Sequence, residues 1–231
     1  MKLSLRLAAV AAMVPSGKPV TDIGTDHAYI PIALIEEGRI PSATASDIGR
    51  GPIGRARANI EAHGLSDRIG TVLCDGVPPG EPEGTLILAG MGGILMSRIL
   101  SDARERLEEI SVIVGEPQSD PDLYRQTLAE LGFRITDETF LKEDGKYYAV
   151  IKAERTDKPV EPMTGAGLLY GPVLIKKGEP LFREYLIRQR QVFDGILKKL
   201  DEADQAADHP RRLEIYERIA LADEALAQCG K

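Results

Sequence analysis

The feature that most restricts this chain lies at Phe133 to Leu141 and Lys146 to Ala153, two strand-like runs separated only by Lys142-Glu143-Asp144-Gly145. A connection this short makes a hairpin, because a parallel crossover needs about a dozen residues or more. Upstream of it, β-type runs alternate with helical runs, which is the pattern of a parallel sheet covered by helices. A strand near Val20-Thr21-Asp22-Ile23 ends in Gly24, a helix follows around Tyr29 to Glu37, and Ser42 to Ser46 leads as a second strand to Asp47. A longer helix runs from about Pro52 to Ala62, closed by Gly64. Ile69 to Cys74 reads as the third strand and stops at Asp75-Gly76, and the loop Val77 to Pro82 leads to a fourth strand at Thr85 to Ala89. Gly90-Met91-Gly92-Gly93 opens the next helix, Ser111 to Val114 makes a fifth strand, and a helix from about Pro121 to Leu131 precedes the hairpin. The sheet therefore finishes with an antiparallel strand.

After about Val160 the texture changes. Glu161 to Lys177 is rich in Gly and Pro, and two helical segments then run to the end, broken near Asp208-His209-Pro210. Phe182, Leu186, Gln189, Phe193, Ile196 and Leu200 are spaced by threes and fours, as are Ile215, Ile219, Ala222 and Leu226, so the two segments are expected to pair as an antiparallel helical hairpin. Two domains are expected, 1–160 and 161–231. The net charge of −7 excludes a protein that coats nucleic acid by bulk charge. Lys176 to Lys231 carries 11 basic and 11 acidic residues, so the whole deficit falls on the first 175. The apolar run Leu3 to Pro15 is interrupted by Arg6 and leads straight into the first strand, which suits an amphipathic helix rather than a signal segment. No run of about 18 apolar residues occurs, so no membrane span is expected, and a cytoplasmic protein is the default. The two cysteines, Cys74 and Cys229, match no zinc spacing and are read as reduced, with Cys74 a small buried residue and no metal site.

The candidate chemistry sits where strands meet their following helices, the edge at which open α/β sheets bind ligands. Asp22-Ile-Gly24-Thr25-Asp26-His27-Ala28 ends the first strand. It lacks the G-x-G-x-x-G fingerprint, and its carboxylates would repel a pyrophosphate while suiting a ligand that carries an ammonium and a sulfonium. Asp47 stands about 20 residues after the glycine turn, where an acid accepts hydrogen bonds from ribose hydroxyls. Asp75-Gly76 ends the third strand, where an acid can accept from an adenine amino group. Each signal alone is also what an ordinary turn would show, but three acidic strand ends in register point to an adenosine-containing ligand. Without phosphate-binding glycines, S-adenosylmethionine is the expected one. A doubly wound sheet ended by a hairpin is the Rossmann-like architecture of class I methyltransferases, here with a small helical tail. Three glycines beside the fourth strand allow close backbone approach to a flat base or to the cofactor. His27 is the histidine placed near this edge; His63 and His209 are expected at the surface.

Leu3-Ser4-Leu5-Arg6-Leu7 with Val14-Pro15, Asp22 to Pro31, Gly51-Pro52, Asp75-Gly76, Ala89-Gly-Met-Gly-Gly93, Asp144 to Tyr148 and Tyr170-Gly171-Pro172 resemble the bacterial tRNA (adenine-22-N1)-methyltransferase family over nearly the whole chain. One departure is visible: the family commonly shows Leu-Gln-Pro after the fifth strand, where this chain has Val114-Gly115-Glu116-Pro117, and an amide can donate where a carboxylate cannot. The resemblance implies methyl transfer from S-adenosylmethionine to adenine N1 in tRNA, by a monomer or weak homodimer. The cofactor set expected is Asp22, Gly24, Thr25, Asp26, His27, Asp47, Ile48, Asp75, Gly76, Gly90, Met91 and Gly92. Asp26 is the expected catalytic proton acceptor, with His27 orienting or relaying. Tyr29 is a candidate stacking platform or a residue packed on the sheet.

For tRNA, the densest basic clusters are Arg50, Arg55 and Arg57 in one helix and Lys176, Lys177, Arg183, Arg188 and Arg190 at the start of the tail. Other readings are a class I methyltransferase acting on another RNA or a small molecule, and a non-catalytic RNA-binding protein on the same fold. An NAD-linked oxidoreductase fits less well, because the glycine fingerprint is missing.

Overall fold

A computed structural model of the chain describes residues 2–80, 82–163, 165–202 and 209–231. Glu81, Thr164 and Asp208, which fall in segments read from sequence as loops or breaks, lie outside them. The chain divides into two compact units, the first ending at Val160 and the second beginning at Glu161.

In the first unit the elements run α1 (Leu5–Met13), β1 (Val20–Ile23), α2 (Tyr29–Glu36), β2 (Ala43–Asp47), α3 (Arg50–Ala62), β3 (Ile69–Leu73), β4 (Gly84–Met91), α4 (Gly93–Asp102), β5 (Ile110–Pro117), α5 (Pro121–Glu130), β6 (Phe133–Glu143) and β7 (Lys146–Arg155). The strands form one sheet in the order β3-β2-β1-β4-β5-β7-β6. β1 to β5 are parallel, and β7 is antiparallel both to β5 and to β6. The chain order reverses between β1 and β4, which opens a crevice at the carboxyl ends of those strands.

The period-two burial of the strands divides the core between the two faces of the sheet. Ile87, Val112 and Val114 join one cluster with residues of α1, α2 and α3, while Leu86, Leu88 and Ile113 join the other with residues of α4 and α5. β1 is buried along its whole length, and α2 buries every residue from Ile30 to Ile35. α1 is capped twice: the Ser4 Oγ accepts from the Leu7 N–H, and the Glu143 carboxylate accepts from the Leu5 N–H at 2.6 Å.

Several boundaries differ from those read in the sequence. Lys142 and Glu143 stay paired with Tyr147 and Lys146, so the hairpin closes on Asp144-Gly145 alone. Both turn residues have positive φ, 49° and 77°, as a two-residue primed turn demands. β4 continues through Gly90 to Met91 and α4 begins only at Gly93, because β5 also runs on to Pro117 and keeps pairing with it. Glu116 is thus a strand residue. Among the described residues, no helix is long and apolar enough to cross a membrane.

The second unit holds four helices among the described residues: α6 (Gly165–Tyr170), α7 (Pro172–Lys177), α8 (Pro180–Glu202) and α9 (Pro210–Gln228). Two of them are short and lie in the Gly/Pro-rich stretch read from sequence as irregular. Pro172 sits in the first turn of α7, where its missing N–H costs nothing, and Gly178 ends that helix in the left-handed conformation. α9 starts at Pro210 with His209 as its cap. Phe182 and Leu186 of α8 and Ile215, Ala222 and Ala225 of α9 are buried. Gly178 packs directly on Gly230, and the Gly230 N–H donates to the Ile175 carbonyl at 3.0 Å.

Candidate functional site

A cavity of about 340 Å³ opens at the carboxyl ends of the parallel strands. Of the residues proposed from sequence, Gly24, Asp47, Ile48, Asp75, Gly76, Gly90 and Met91 line it. Asp22, Thr25, Asp26, His27 and Gly92 are not in its lining. Asp22 lies within β1, and the others belong to the turns at the ends of β1 and β4.

Each turn is shaped by its own residue types. Gly24 has φ +71°, and a Cβ there would run into the methyl of Met91, so the ends of β1 and β4 meet side by side across the switch point. Gly90 has φ +80°. Asp47 turns the chain out of β2 by accepting from the Gly49 N–H at 2.8 Å through Oδ1. Ile48 is 70% exposed although apolar, and it lines the cavity. Asp75 receives a hydrogen bond from Arg98 at 3.3 Å, so the acid at the end of β3 already has a cationic neighbour in the same cavity. Sequence reasoning missed Arg98, which lies on α4 with no motif around it. Cys74 is half-buried and lines the cavity, not fully buried as expected, because β3 stops at Leu73 and releases it to the wall. Burial pushes its thiol up, which makes it a weak nucleophile.

Asp22 is buried and accepts from the Thr25 hydroxyl at 2.6 Å. Burial pushes its carboxyl up to about 6; the Thr25 hydrogen bond opposes that rise and the nearby charge of Asp47 adds to it.

The Asp26-His27-Ala28 turn has two non-glycine residues in the left-handed region, Asp26 at φ 49° and Ala28 at φ 56°. Such residues cost on the order of 1–3 kcal/mol each and persist only where surrounding contacts hold them. α3 supplies those contacts. Arg55 donates to Asp26 Oδ1 from both Nε, at 3.0 Å, and Nη2. Asn59 Nδ2 donates to the His27 carbonyl at 3.0 Å and lies 3.4 Å from His27 Nδ1. His27 Nε2 stands 3.5 Å from Asp26 Oδ2. The His27 ring stacks on Tyr29 at 4.8 Å and 5° between planes, so Tyr29, exposed at the start of α2, pairs with His27 instead of packing on the sheet.

At the far side, Glu116 is buried and its Oε2 accepts from Arg6 Nη1 at 2.7 Å and from the Gly90 N–H at 2.9 Å. Burial raises its carboxyl, and Arg6 and then Gly90 pull it back. Arg6 also lies over the Tyr148 ring, 5.7 Å from its centre. The residue noted from sequence only as a departure is therefore the tie between α1, β4 and β5.

A seven-stranded sheet of this order, with acidic residues at the ends of β1 and β2 and beyond β3 around a crevice at the switch point, defines a class I S-adenosylmethionine-dependent methyltransferase fold. Residues 20–224 match the family described as tRNA (adenine(22)-N(1))-methyltransferase. The tRNA (adenine(22)-N(1))-methyltransferase of Bacillus subtilis (strain 168) is 30% identical over 233 residues, covering 98% of each chain. A Streptococcus pneumoniae protein crystallised with S-adenosyl-L-methionine is 31% identical, with a TM-score of 0.85 over 97% of this chain and 100% of that one. M. capricolum TrmK, crystallised with S-adenosyl-homocysteine, is 25% identical, with a TM-score of 0.86 over 99% of each chain. The chain belongs to the tRNA (adenine(22)-N(1))-methyltransferase family.

Proposed function

We propose that this chain transfers a methyl group to N1 of adenine 22 in tRNA, using S-adenosyl-L-methionine bound in the crevice between β1 and β4. The observation that carries the reading is the chemistry of the crevice wall. Asp47 and Asp75 line it, Asp22 is buried in β1 next to the lining residue Ile23, and Arg98, the cation in its lining, is paired with Asp75. That donor set suits a cationic, adenosine-containing cofactor and opposes a dinucleotide pyrophosphate. When bound, the cofactor supplies an electrophilic methyl group.

The protein's own residues do the rest. Asp47 and Asp75 would accept from ribose hydroxyls and the cofactor's adenine amine, while Gly24, Gly76, Gly90, Met91 and Gly92 let backbone come close. Asp22 and Thr25 hold the turn, Ile48 covers one face of the cofactor, and Asp26 and His27 face the acceptor. Adenine N1 attacks with its own lone pair, so alignment and exclusion of water supply most of the acceleration. The new N1–C bond forms as the bond from sulfur to methyl breaks, and the cationic base then loses a proton from its exocyclic nitrogen. Asp26 takes it. N1 lies on the pairing edge, so the nucleotide must be unpaired or extruded, with the exposed Tyr29 and His27 stack as its platform.

On this reading 1–160 is the catalytic domain and 161–231 a helical tail that grips the tRNA body. The basic clusters divide differently from expectation. Arg55 is engaged by Asp26, Arg183 donates to the Cys229 carbonyl, and Arg190 is held by Asp194 and Asp223. Lys176 and Arg188 are exposed and carry the phosphate-binding role. A tRNA substrate implies a cytoplasmic protein, taken here as a monomer or weak homodimer working without metal. The test is to incubate the protein with labelled S-adenosyl-L-methionine and tRNA from a strain lacking the modification. Labelled 1-methyladenosine, with reverse transcription stopping beside nucleotide 22, is expected; label in another nucleoside, or none, would overturn the reading.

A further inference from the structure

Asn59 makes two contacts to one residue, and together they determine something about His27 that neither does alone. The Asn59 side-chain amide has an oxygen and a nitrogen at its tip, and which one faces His27 is decided by the His27 backbone carbonyl. A carbonyl only accepts, so the atom 3.0 Å from it is the NH2 group. The same nitrogen lies 3.4 Å from His27 Nδ1. Its second N–H is the group offered to that ring nitrogen, so Nδ1 must be unprotonated. The ring proton then sits on Nε2, the nitrogen that stands 3.5 Å from Asp26 Oδ2. Tyr29 covers one face of the ring by stacking.

We infer that Asn59 is a positioning residue that keeps Nδ1 of His27 an acceptor and the ring proton on Nε2, and so bars the imidazole from taking the proton released by the methylated base. Of its two nitrogens, one already carries hydrogen and points to Asp26; the other faces an N–H donor. Nε2 faces Asp26 Oδ2 at 3.5 Å, and the other oxygen of that carboxylate is held by Arg55. Because Arg55 and Asn59 are four residues apart on α3, they lie on one face of that helix and grip consecutive residues of a turn with left-handed backbone. The same helix starts just past Asp47, whose carboxylate shapes its first turn through Gly49. The helix that follows the Asp47 turn thus carries the tautomer-setting amide in its third turn.

The inference rests on the reading of Asp26 and His27 as acceptor-side residues, and its test separates the two. With three histidines in the chain, long-range proton–nitrogen correlation spectra of the full-length protein at pH 8, assigned with His27→Gln, report the tautomer directly. A protonated Nε2 and bare Nδ1 at His27 are expected in the unsubstituted protein; a protonated Nδ1 would overturn the inference without any variant having to fold. Asn59→Asp puts an acceptor opposite Nδ1. It should switch the ring to Nδ1–H and lower kcat by about tenfold or more, with KM for S-adenosyl-L-methionine within about twofold. An unswitched ring with unchanged kcat would count against it.

Turnover gives the second arm. His27→Gln keeps an N–H donor in the place of Nε2 and should lose less than about tenfold in kcat, while Asp26→Asn should lose about 10²-fold or more. Loss of all turnover in His27→Gln would make the imidazole the proton acceptor and sink the inference. Full turnover in Asp26→Asn would remove Asp26 from its proposed role while leaving the tautomer assignment intact.

Discussion

Asp22→Asn should make this protein more stable and a poorer enzyme, and the size of the first effect follows from where the carboxyl sits. The folded chain holds the Asp22 acid at about 6 against an ordinary 3.8, with burial the main cause. Between those two values the folded state binds more protons at this site than the unfolded state does, so the side chain costs stability as pH rises through the window. The cost is negligible below about pH 3, where both states are protonated, and complete above about pH 7. A shift of roughly two units at 1.36 kcal/mol per unit amounts to about 3 kcal/mol. An asparagine carries no charge to desolvate, and its oxygen can still accept from the Thr25 hydroxyl. The amide has its own pH-independent cost, so the quantity to measure is the change with pH. Urea unfolding by far-UV circular dichroism at pH 4.5, 6 and 8 gives the difference between variant and parent at each pH. That difference should move in favour of the variant by about 2–3 kcal/mol across the series. A flat difference, or one that moves against the variant, would refute the placement of a costly buried carboxylate at the end of β1. Affinity for S-adenosyl-L-methionine at pH 8 should fall in the same variant, since a carboxylate next to the crevice favours a cationic ligand.

Other perturbations follow from the same geometry. Glu116→Ala leaves the Arg6 guanidinium and the Gly90 N–H without their shared acceptor and should cost at least about 2 kcal/mol, whereas Glu116→Gln, which can still accept from both, should cost about half that or less in the same urea titration. Gly93→Ala would drive a methyl into the backbone carbonyls of Ser119 and Asp120, which cannot swing aside, and should destabilise by about 1–3 kcal/mol; Gly54→Ala, in α3 with open space around it, should instead stabilise by up to about 1 kcal/mol, so that melting temperatures move in opposite directions. Lys176→Glu with Arg188→Glu should weaken tRNA binding and flatten its salt dependence while leaving cofactor affinity unchanged, measured by filter binding over a salt series.

Much of the catalytic unit was legible because its signals are periodic and local. The alternation up to Leu131 and the hairpin after it marked every strand of the sheet, and the acids of the switch-point strands needed no more than the rule that open sheets bind at their carboxyl ends. The helices α6 and α7 escaped because each has six residues, too few to show a period, and glycine and proline at their ends read as loop. Arg55 was visible as a basic residue but not as a partner of Asp26, and Asn59 was not visible at all. Their role depends on the turn after β1 folding back onto α3, a distance of about thirty residues that no local pattern encodes. Glu116 stood out only as a change of residue type; its meaning required the knowledge that Arg6, from the far end of the chain, lies against it.

The contacts of α1 give the folding of this protein an order in time. Arg6 and Glu116 are separated by 110 positions and Leu5 and Glu143 by 138. A chain leaving the ribosome can seat its first helix early against α2, just past which Arg39 donates to the Ala11 and Val14 carbonyls, but its Glu116 and Glu143 partners emerge only much later. Loop closure over such spans is slow. The corner joining Gly90 to Arg6 through Glu116 therefore closes only after β5 has been made, and the Glu143 cap on α1 only after the hairpin strand that carries it.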